Sequence, residues 1–238
     1  MLNGKVAIIT GAAGALGSVV TRTFLQNRAK VVALYHREEK YGRLYEKLGK
    51  LSDNLTGMKG DATLPDDCSR LVKTAIDKYD KLDILVNLVG GWSGGESLEK
   101  TDTSLWDEMM NKNAKSVFLC CKAALPVMIE NNYGKIVNIS AKSSTREGRK
   151  RRSSIYAASK GAVNVLTLAM AEELVDKKIN INCVMPSTID TDGNRKMMPK
   201  ADFGKWVSKQ NVADTILFLC SDKASDIKGT CIPIYGRS

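Results

Sequence analysis

Lys5-Val-Ala-Ile-Ile-Thr10-Gly11-Ala-Ala-Gly14-Ala-Leu-Gly17, running on into Ser18–Arg28, decides the fold. The first six residues form a short apolar, β-branched run, the pattern of a strand buried on both faces. Residues 18–28 carry Val19, Val20, Phe24 and Leu25 at helical spacing. A glycine-rich turn joins the two. Strand, glycine turn and helix in that order make a dinucleotide site. Glycines permit the tight turn and the close approach of backbone to a pyrophosphate, and the helix N-terminus offers free N–H groups and a positive dipole end.

The rest of the chain repeats the alternation. Strands are expected at 5–10, 31–35, 56–59, 83–87, 135–140, 179–184 and 231–235. Helices are expected at 15–28, 38–50, 65–79, 102–131, 154–175 and 209–221, with an irregular segment before the last. This predicts an α/β fold: a single Rossmann-type domain over residues 1–238, with a doubly wound parallel sheet of about seven strands and helices on both faces. Ligands on such sheets sit beyond the carboxyl ends of the strands. Thr10, Tyr35, Asp61, Asn87 and Ser140 all fall at or just past those ends.

Tyr156-Ala-Ala-Ser-Lys160 places a phenol and an ammonium four residues apart, on one helix face. A free tyrosine titrates near ~10 and is a poor acid or base at neutral pH. A cation at about 4 Å, in an effective dielectric near 20, is worth roughly 4 kcal/mol, or about three pH units. The pair is therefore expected to bring Tyr156 close to operating pH, where general acid/base catalysis works best.

Thr10-Gly11, Gly17, Asn87, Asn113 and Tyr156-xxx-Lys160 together resemble the short-chain dehydrogenases/reductases (SDR), and the resemblance runs from end to end. It implies an enzyme that uses NAD(H) or NADP(H) and transfers a hydride to or from a carbonyl or imine-like carbon. It also implies cofactor contacts from Thr10, Gly11, Gly14, Ala15, Leu16 and Gly17, with Ala15 standing where the family pattern has its middle glycine. Asp61 and Ala62 would meet the adenine; Asn87 would brace the strands; Gly90, Pro186 and Ile189 would lie near the nicotinamide. NAD-preferring members end the second strand on a carboxylate that takes the ribose hydroxyls. Here the chain reads Leu34-Tyr35-His36-Arg37, so His36 or Arg37 would face a 2′-phosphate and NADP(H) is expected over NAD(H).

By the family's roles, Tyr156 transfers the substrate proton, Lys160 holds the nicotinamide ribose and lowers the phenol's pKa, and Asn113 holds a water linking Lys160 to solvent. A serine orients the carbonyl, and here two alignments compete. Counting thirteen residues back from Tyr156 gives Ser143; aligning the strand end puts Ala141 there, with an insertion in the following loop. Ser143 is taken as the catalytic hydroxyl, with Ser140 and Ser144 as the alternatives. Trp92 would either roof the substrate or plug the core.

A second resemblance bears on that serine. Thr188–Thr191, Asn194–Lys196 and Met198–Phe203 with Trp206 look similar to the C-terminal segment of quinonoid dihydropteridine reductases, which lack the usual serine. The leading expectation is a reductase of the 3-oxoacyl-[acyl-carrier-protein] type, or one acting on a small ketone. The alternatives are a dihydropteridine-type reductase and a dinucleotide-binding regulatory protein with little activity. Residues 187–209 would form the substrate lid, and the family implies a homo-oligomer, a dimer or tetramer.

Composition bounds the remaining classes. With 43% hydrophobic residues the chain is not disordered. No apolar run approaches the ~20 residues of a membrane span, and Met1–Gly4 is too short for a signal peptide. Six cysteines without a C-x-x-C pair read as buried thiols in a reducing cytoplasm. One histidine, His36, and no ligand cluster argue against a metal. The net charge of +10 raises nucleic acid as a partner, but no recognition motif accompanies it and none is expected. Six basic residues and one acid lie in 142–152, half of the excess charge. That loop is either an anion handle or a solvated or intersubunit salt-bridge zone.

Overall fold

The computed structural model describes residues 1–237. Seven strands form one wholly parallel sheet: β1 (Val6–Thr10), β2 (Lys30–Tyr35), β3 (Leu55–Lys59), β4 (Ile84–Asn87), β5 (Gly134–Ile139), β6 (Ile179–Pro186) and β7 (Cys231–Ile234). Their spatial order is β3-β2-β1-β4-β5-β6-β7. The order reverses between β1 and β4, so the crevice beyond their carboxyl ends is the binding place in a sheet of this kind.

Alternation along the strands splits the core in two. Ala7 and Ile9 of β1 face α1 (Gly17–Gln26) and α8 (Lys209–Leu219), where Val20, Phe24, Val212 and Ile216 are buried. Val6 and Ile8 face the other way, towards α3 (Pro65–Tyr79), α5 (Ser116–Glu130) and α6 (Ser154–Glu173), with Leu71, Cys120 and Val163. Both faces of the sheet are covered, which is why β1 and β4 read as near-continuous apolar runs rather than alternating ones.

Three expectations need correction. The first helix begins at Gly17 rather than residue 15, because Ala13–Leu16 are spent on the turn. The long helix near 102–131 is interrupted: α4 (Ser104–Met109) runs into a π-helical turn at Met110–Lys115 before α5 begins. Helical periodicity carries no signal for one extra residue in a turn, and such bulges recur at functional sites. The segment before α8, read as irregular, contains a short helix α7 (Asp192–Met197). Thr191 Oγ1 caps it by accepting from the Asn194 amide at 3.1 Å, and Arg195 pairs with Asp190 at 2.6 Å. A parallel bridge between Ile189 and Val207 closes the base of this excursion. The remaining helix, α2 (Glu38–Leu48), links β2 to β3.

Candidate active site

The glycine turn is shaped by steric necessity. Gly11 has φ +64°, and a Cβ there would stand 3.3 Å from the Val89 amide nitrogen. A Cβ on Gly17 would lie 2.1 Å from the Gly11 carbonyl oxygen, so the turn would have to shift to admit a side chain. At Gly14 the corresponding approach is 3.1 Å. Ala15 is exposed, so its methyl group fits without crowding the turn. Leu16 precedes α1 without a capping side chain, and the first turn of α1 carries no acid. This helix N-terminus thus keeps its unneutralised dipole end for an anion.

Thr10 locks the turn to the next strand. Its Oγ1 accepts from the amides of Leu88 (3.0 Å) and Val89 (3.2 Å). Asn87 donates through Nδ2 to Asn138 Oδ1 at 2.9 Å, and Asn138 donates to Thr167 Oγ1 at 2.9 Å, tying β4, β5 and α6 together. Asn87 Oδ1 is buried without a partner among the described residues.

At the end of β2, Tyr35 stacks on Tyr41, with ring centroids 4.2 Å apart, and donates to Glu38. His36 and Arg37 project into solvent just beyond it, and no partner of Arg37 occurs among the described residues. Glu38, the first carboxylate after this strand, already accepts the Tyr35 hydroxyl. Asp61 Oδ1 accepts the backbone amide and hydroxyl of Thr63, at 2.8 and 2.9 Å, which orders the turn leading to buried Ala62.

The residues expected to carry chemistry converge beyond β4 and β5. Asn113, in the π turn, is fully buried; its Oδ1 accepts from the Gly91 amide at 2.9 Å, and its Nδ2 donates to Ser159 Oγ at 2.9 Å and to the Gly91 carbonyl at 3.1 Å. Ser159 donates in turn to the Tyr156 carbonyl at 2.8 Å. The side chain thus braces α6 against the loop after β4, and one lone pair of Oδ1 stays uncommitted. Lys160 is buried and donates to the Ile139 carbonyl at 2.9 Å. A Cβ on Gly90 would stand 2.9 Å from Asn113 Oδ1 and 3.1 Å from Lys160 Nζ, so a bare glycine is what admits both groups. Pro186 is buried at the end of β6, followed by Ser187 and half-buried Ile189.

The titration expected of the pair is overturned. Burial pushes the Tyr156 phenol up to about 12 and pulls the Lys160 ammonium down to about 8. Spacing puts the two residues on one helix face, but the amine donates to a main-chain carbonyl, and desolvation leads both shifts.

Ala141 directly follows β5, and residues Lys142–Ser144 make a tight 3-10 turn. Ser143 Oγ is buried with no hydrogen-bond partner among the described residues, while Ser140 and Ser144 are both engaged. Trp92 is 52% exposed and plugs nothing. A cavity of about 660 Å³ opens between α4 and the first turns of α6, lined by Leu98, Trp106, Ile155 and Ala158 among others. It lies on another face of α6 from Tyr156 and Lys160, and no residue expected at the site lines it. Asn164 and Tyr41 were not expected at the site; Asn164 stands out only as an amide in the apolar run Ala162-Val-Asn-Val-Leu166, and nothing around Tyr41 marks it.

Known proteins agree with this architecture. Residues 5–202 match the family model for short chain dehydrogenase. The chain is 32% identical to a 3-oxoacyl-[acyl-carrier-protein] reductase FabG of Thermotoga maritima, over 99% of this chain and 98% of that one. It is 30% identical to dehydrogenase/reductase SDR family member 6 of Rattus norvegicus, over 99% and 97%. Among solved structures, ElxO with NADP bound superposes with a TM-score of 0.90 at 28% identity, covering 98% of this chain and 97% of that one. With the nucleotide turn, the Tyr156/Lys160 pair and these similarities in hand, the chain belongs to the short-chain dehydrogenase family, oxidoreductases acting on alcohol and carbonyl groups.

Proposed function

We propose that the protein is an NADP(H)-dependent reductase of a ketone, either a 3-oxoacyl thioester on a carrier or a small free ketone. The observation that carries the reading is the convergence of Lys160 Nζ and Asn113 Oδ1 on the bare Cα of Gly90, one helical turn from Tyr156. The likeness to FabG and to the NADP-bound ElxO supports it.

The residues fit a dinucleotide phosphate. The uncapped α1 end and the glycines at 11, 14 and 17 suit the pyrophosphate. Arg37, cationic and unpaired among the described residues, suits a 2′-phosphate, with His36 beside it. Asp61 and Ala62 would border the adenine, and Gly90, Pro186 and Ile189 the nicotinamide. NADPH, when bound, supplies the hydride. Tyr156, kept protonated by burial, gives its proton to the carbonyl oxygen. Lys160 holds the ribose hydroxyls, and Asn113 places a water between Lys160 and solvent. Ser143 donates to the carbonyl oxygen and fixes its direction.

Residues 187–209 serve as lid on one domain spanning 1–238. The exposed Phe118 of α5 and the exposed Val165 and Leu168 of α6 support a homo-oligomer, a dimer or tetramer. Six free cysteines suit a reducing cytoplasm. No helix among the described residues is long and apolar enough to cross a membrane, and no His/Cys/Asp/Glu group there is arranged for a metal ion.

A quinonoid dihydropteridine substrate is the second reading, favoured by Ala141 at the strand end. A regulatory dinucleotide-binding role is the third. The test is NADPH oxidation with a 3-oxoacyl thioester, a small ketone and a quinonoid dihydropterin in parallel. Turnover of either ketone substrate supports the proposal, and turnover of the pterin alone replaces it with the second reading. Tight NADPH binding with no oxidation on any substrate leaves the third.

A further inference from the structure

Ser143 offers a buried hydroxyl with no hydrogen-bond partner among the described residues, so none of them fixes its direction by a bond. Its direction is therefore set by the turn that carries it. That turn is gripped from the catalytic helix. Asn164 lies one turn past Lys160 and two past Tyr156, on the same side of α6. Its Nδ2 donates to Ser144 Oγ at 2.8 Å. Ser144 Oγ donates to the Ala141 carbonyl at 2.6 Å, and the Ser144 amide donates to the same carbonyl at 3.0 Å. Ser140 Oγ, 3.2 Å from Ser144 Oγ, bonds the Lys160 carbonyl at 2.9 Å. Asn164 is itself held from the far side, where Oδ1 accepts from Cys183 Sγ at 3.5 Å.

The donor sequence has one direction. Asn164 has only N–H to give through Nδ2, so Ser144 must present a lone pair and send its own proton to Ala141. Rotating Ser144 away would break both bonds at once. Gly148 closes the loop onto this turn so tightly that a Cβ there would lie 1.9 Å from the Lys142 carbonyl oxygen. The turn has one packed arrangement, and Asn164 connects it to the helix that bears Tyr156.

We infer that Asn164, acting through Ser144, is the positioning residue that registers the Ser143 hydroxyl against Tyr156. The inference rests on the proposed role of Ser143. It answers the ambiguity of the loop: with Ala141 at the strand end, the hydroxyl comes from two residues later, and a brace from α6 keeps it in place.

The test is a double-mutant cycle read in kcat, in the KM for the carbonyl substrate and in the Kd for NADPH. Asn164→Asp keeps shape and the acceptor for Cys183 but removes the donor. It should lower kcat about 10- to 100-fold, the scale of a misplaced reacting group, and leave NADPH affinity unchanged. Combined with Ser143→Ala it should add nothing further. Ser144→Ala, which serves if the aspartate variant fails to fold, should show the same loss and the same non-additivity. Loss in Ser143→Ala with wild-type kcat in Asn164→Asp and Ser144→Ala overturns the inference alone. Losses that simply multiply also overturn it, since the residues then act separately. Unchanged turnover in Ser143→Ala removes the role of that serine and the inference with it.

Discussion

Around Gly11–Gly17 the site is shaped by backbone, whereas around Ser140–Arg152 it is shaped by side chains. At the first place the tolerances are steric: Gly17 has no room for a Cβ, and Gly11 needs a left-handed φ. At the second, a serine turn hangs on hydroxyl and amide bonds, beside a buried lysine and a strongly basic loop. A cofactor's pyrophosphate is the same in every enzyme that binds it, so main-chain groups suffice to hold it. A substrate must be distinguished, and that takes side chains on loops. Changes near Gly17 should therefore act through binding and stability, and changes near Ser143 and Tyr156 through turnover.

The sharpest attempt to break this division is Tyr156→Phe. It removes the proton donor and keeps the ring. Turnover should fall by about 10²–10⁴, the range for loss of a general acid, with the NADPH dissociation constant within about twofold of wild type. Wild-type rates would take Tyr156 out of the chemistry; a lost cofactor site would erase the division itself.

Next in size is the cost of burying Lys160. Its ammonium is lowered to about 8 in the folded protein from an ordinary value near 10.5. Between those values the unfolded chain binds more protons than the folded one, so the stability of the cofactor-free protein rises with pH across that window. The full rise is about 3 kcal/mol, and the cost is fully present below pH 8. Tyr156 works the other way: its raised value makes stability fall as pH climbs from about 10 towards about 12. Burial also raises the thiols of Cys121 and Cys220, and a neighbouring thiol together with burial raises those of Cys120 and Cys183. Each lowers stability as pH passes 9, so the test is a difference between two proteins. In urea unfolding from pH 8 to 10, the stability of the wild type should rise relative to that of Lys160→Met.

Gly17→Ala probes the backbone side. Overpacking of this kind costs about 1–3 kcal/mol. The melting temperature and NADPH affinity should both fall, while Gly14→Ala, with 3.1 Å of clearance, should be milder. Equal effects at the two glycines would show that the turn relaxes more freely than its geometry implies.

Legibility in the sequence follows the same division. Strand periodicity and the glycine turn were readable because they obey local sterics; β1 and α3 fall within a residue of expectation. The π turn at 110–115 was not, since its extra residue leaves the apolar pattern intact on both sides. The convergence of Asn113 and Lys160 on Gly90 depends on sheet order, which brings β4 beside β5. The titration of Tyr156 was misjudged because spacing reports proximity along a helix but not burial. Asn164 was invisible for a related reason: nothing along α6 says which loop will fold against it.

Arg37→Ala sharpens the comparison at the nucleotide end, where Arg37 is the side chain proposed to read the 2′-phosphate. A charge-assisted bond to a 2′-phosphate contributes about 1.5 kcal/mol or more, so NADPH affinity should drop roughly tenfold. NADH affinity should not change. An equal drop for both would show that Arg37 does not touch the phosphate.

The smallest expected effect, and the one most specific to this chain, concerns the basic loop. Its ends lie at the Ser143 turn and at α6, and the Arg152 carbonyl accepts from the Gly95 amide at 2.8 Å, which ties the loop to the segment after Trp92. Lys150 is spent internally, its amine donating to the carbonyls of Thr145 and Gly148, so it holds the loop's shape. The side chains of Arg146, Arg149 and Arg151 have no hydrogen-bond or ion-pair partner among the described residues. Like charges so close repel one another unless an anion or a partner surface neutralises them. The decisive variant therefore changes Arg149 and Arg151 to Gln and leaves Lys150 alone. If the loop takes the phosphate of a carrier-bound or coenzyme-linked thioester, KM for that substrate should rise roughly three- to tenfold, at under about 1 kcal/mol per rim charge. The rise should shrink in high salt, and a small neutral ketone should be turned over as before. A shift in oligomeric state with unchanged KM would instead make the arginines an intersubunit contact. Either result assigns the charge a purpose that the backbone end of the site has no need of.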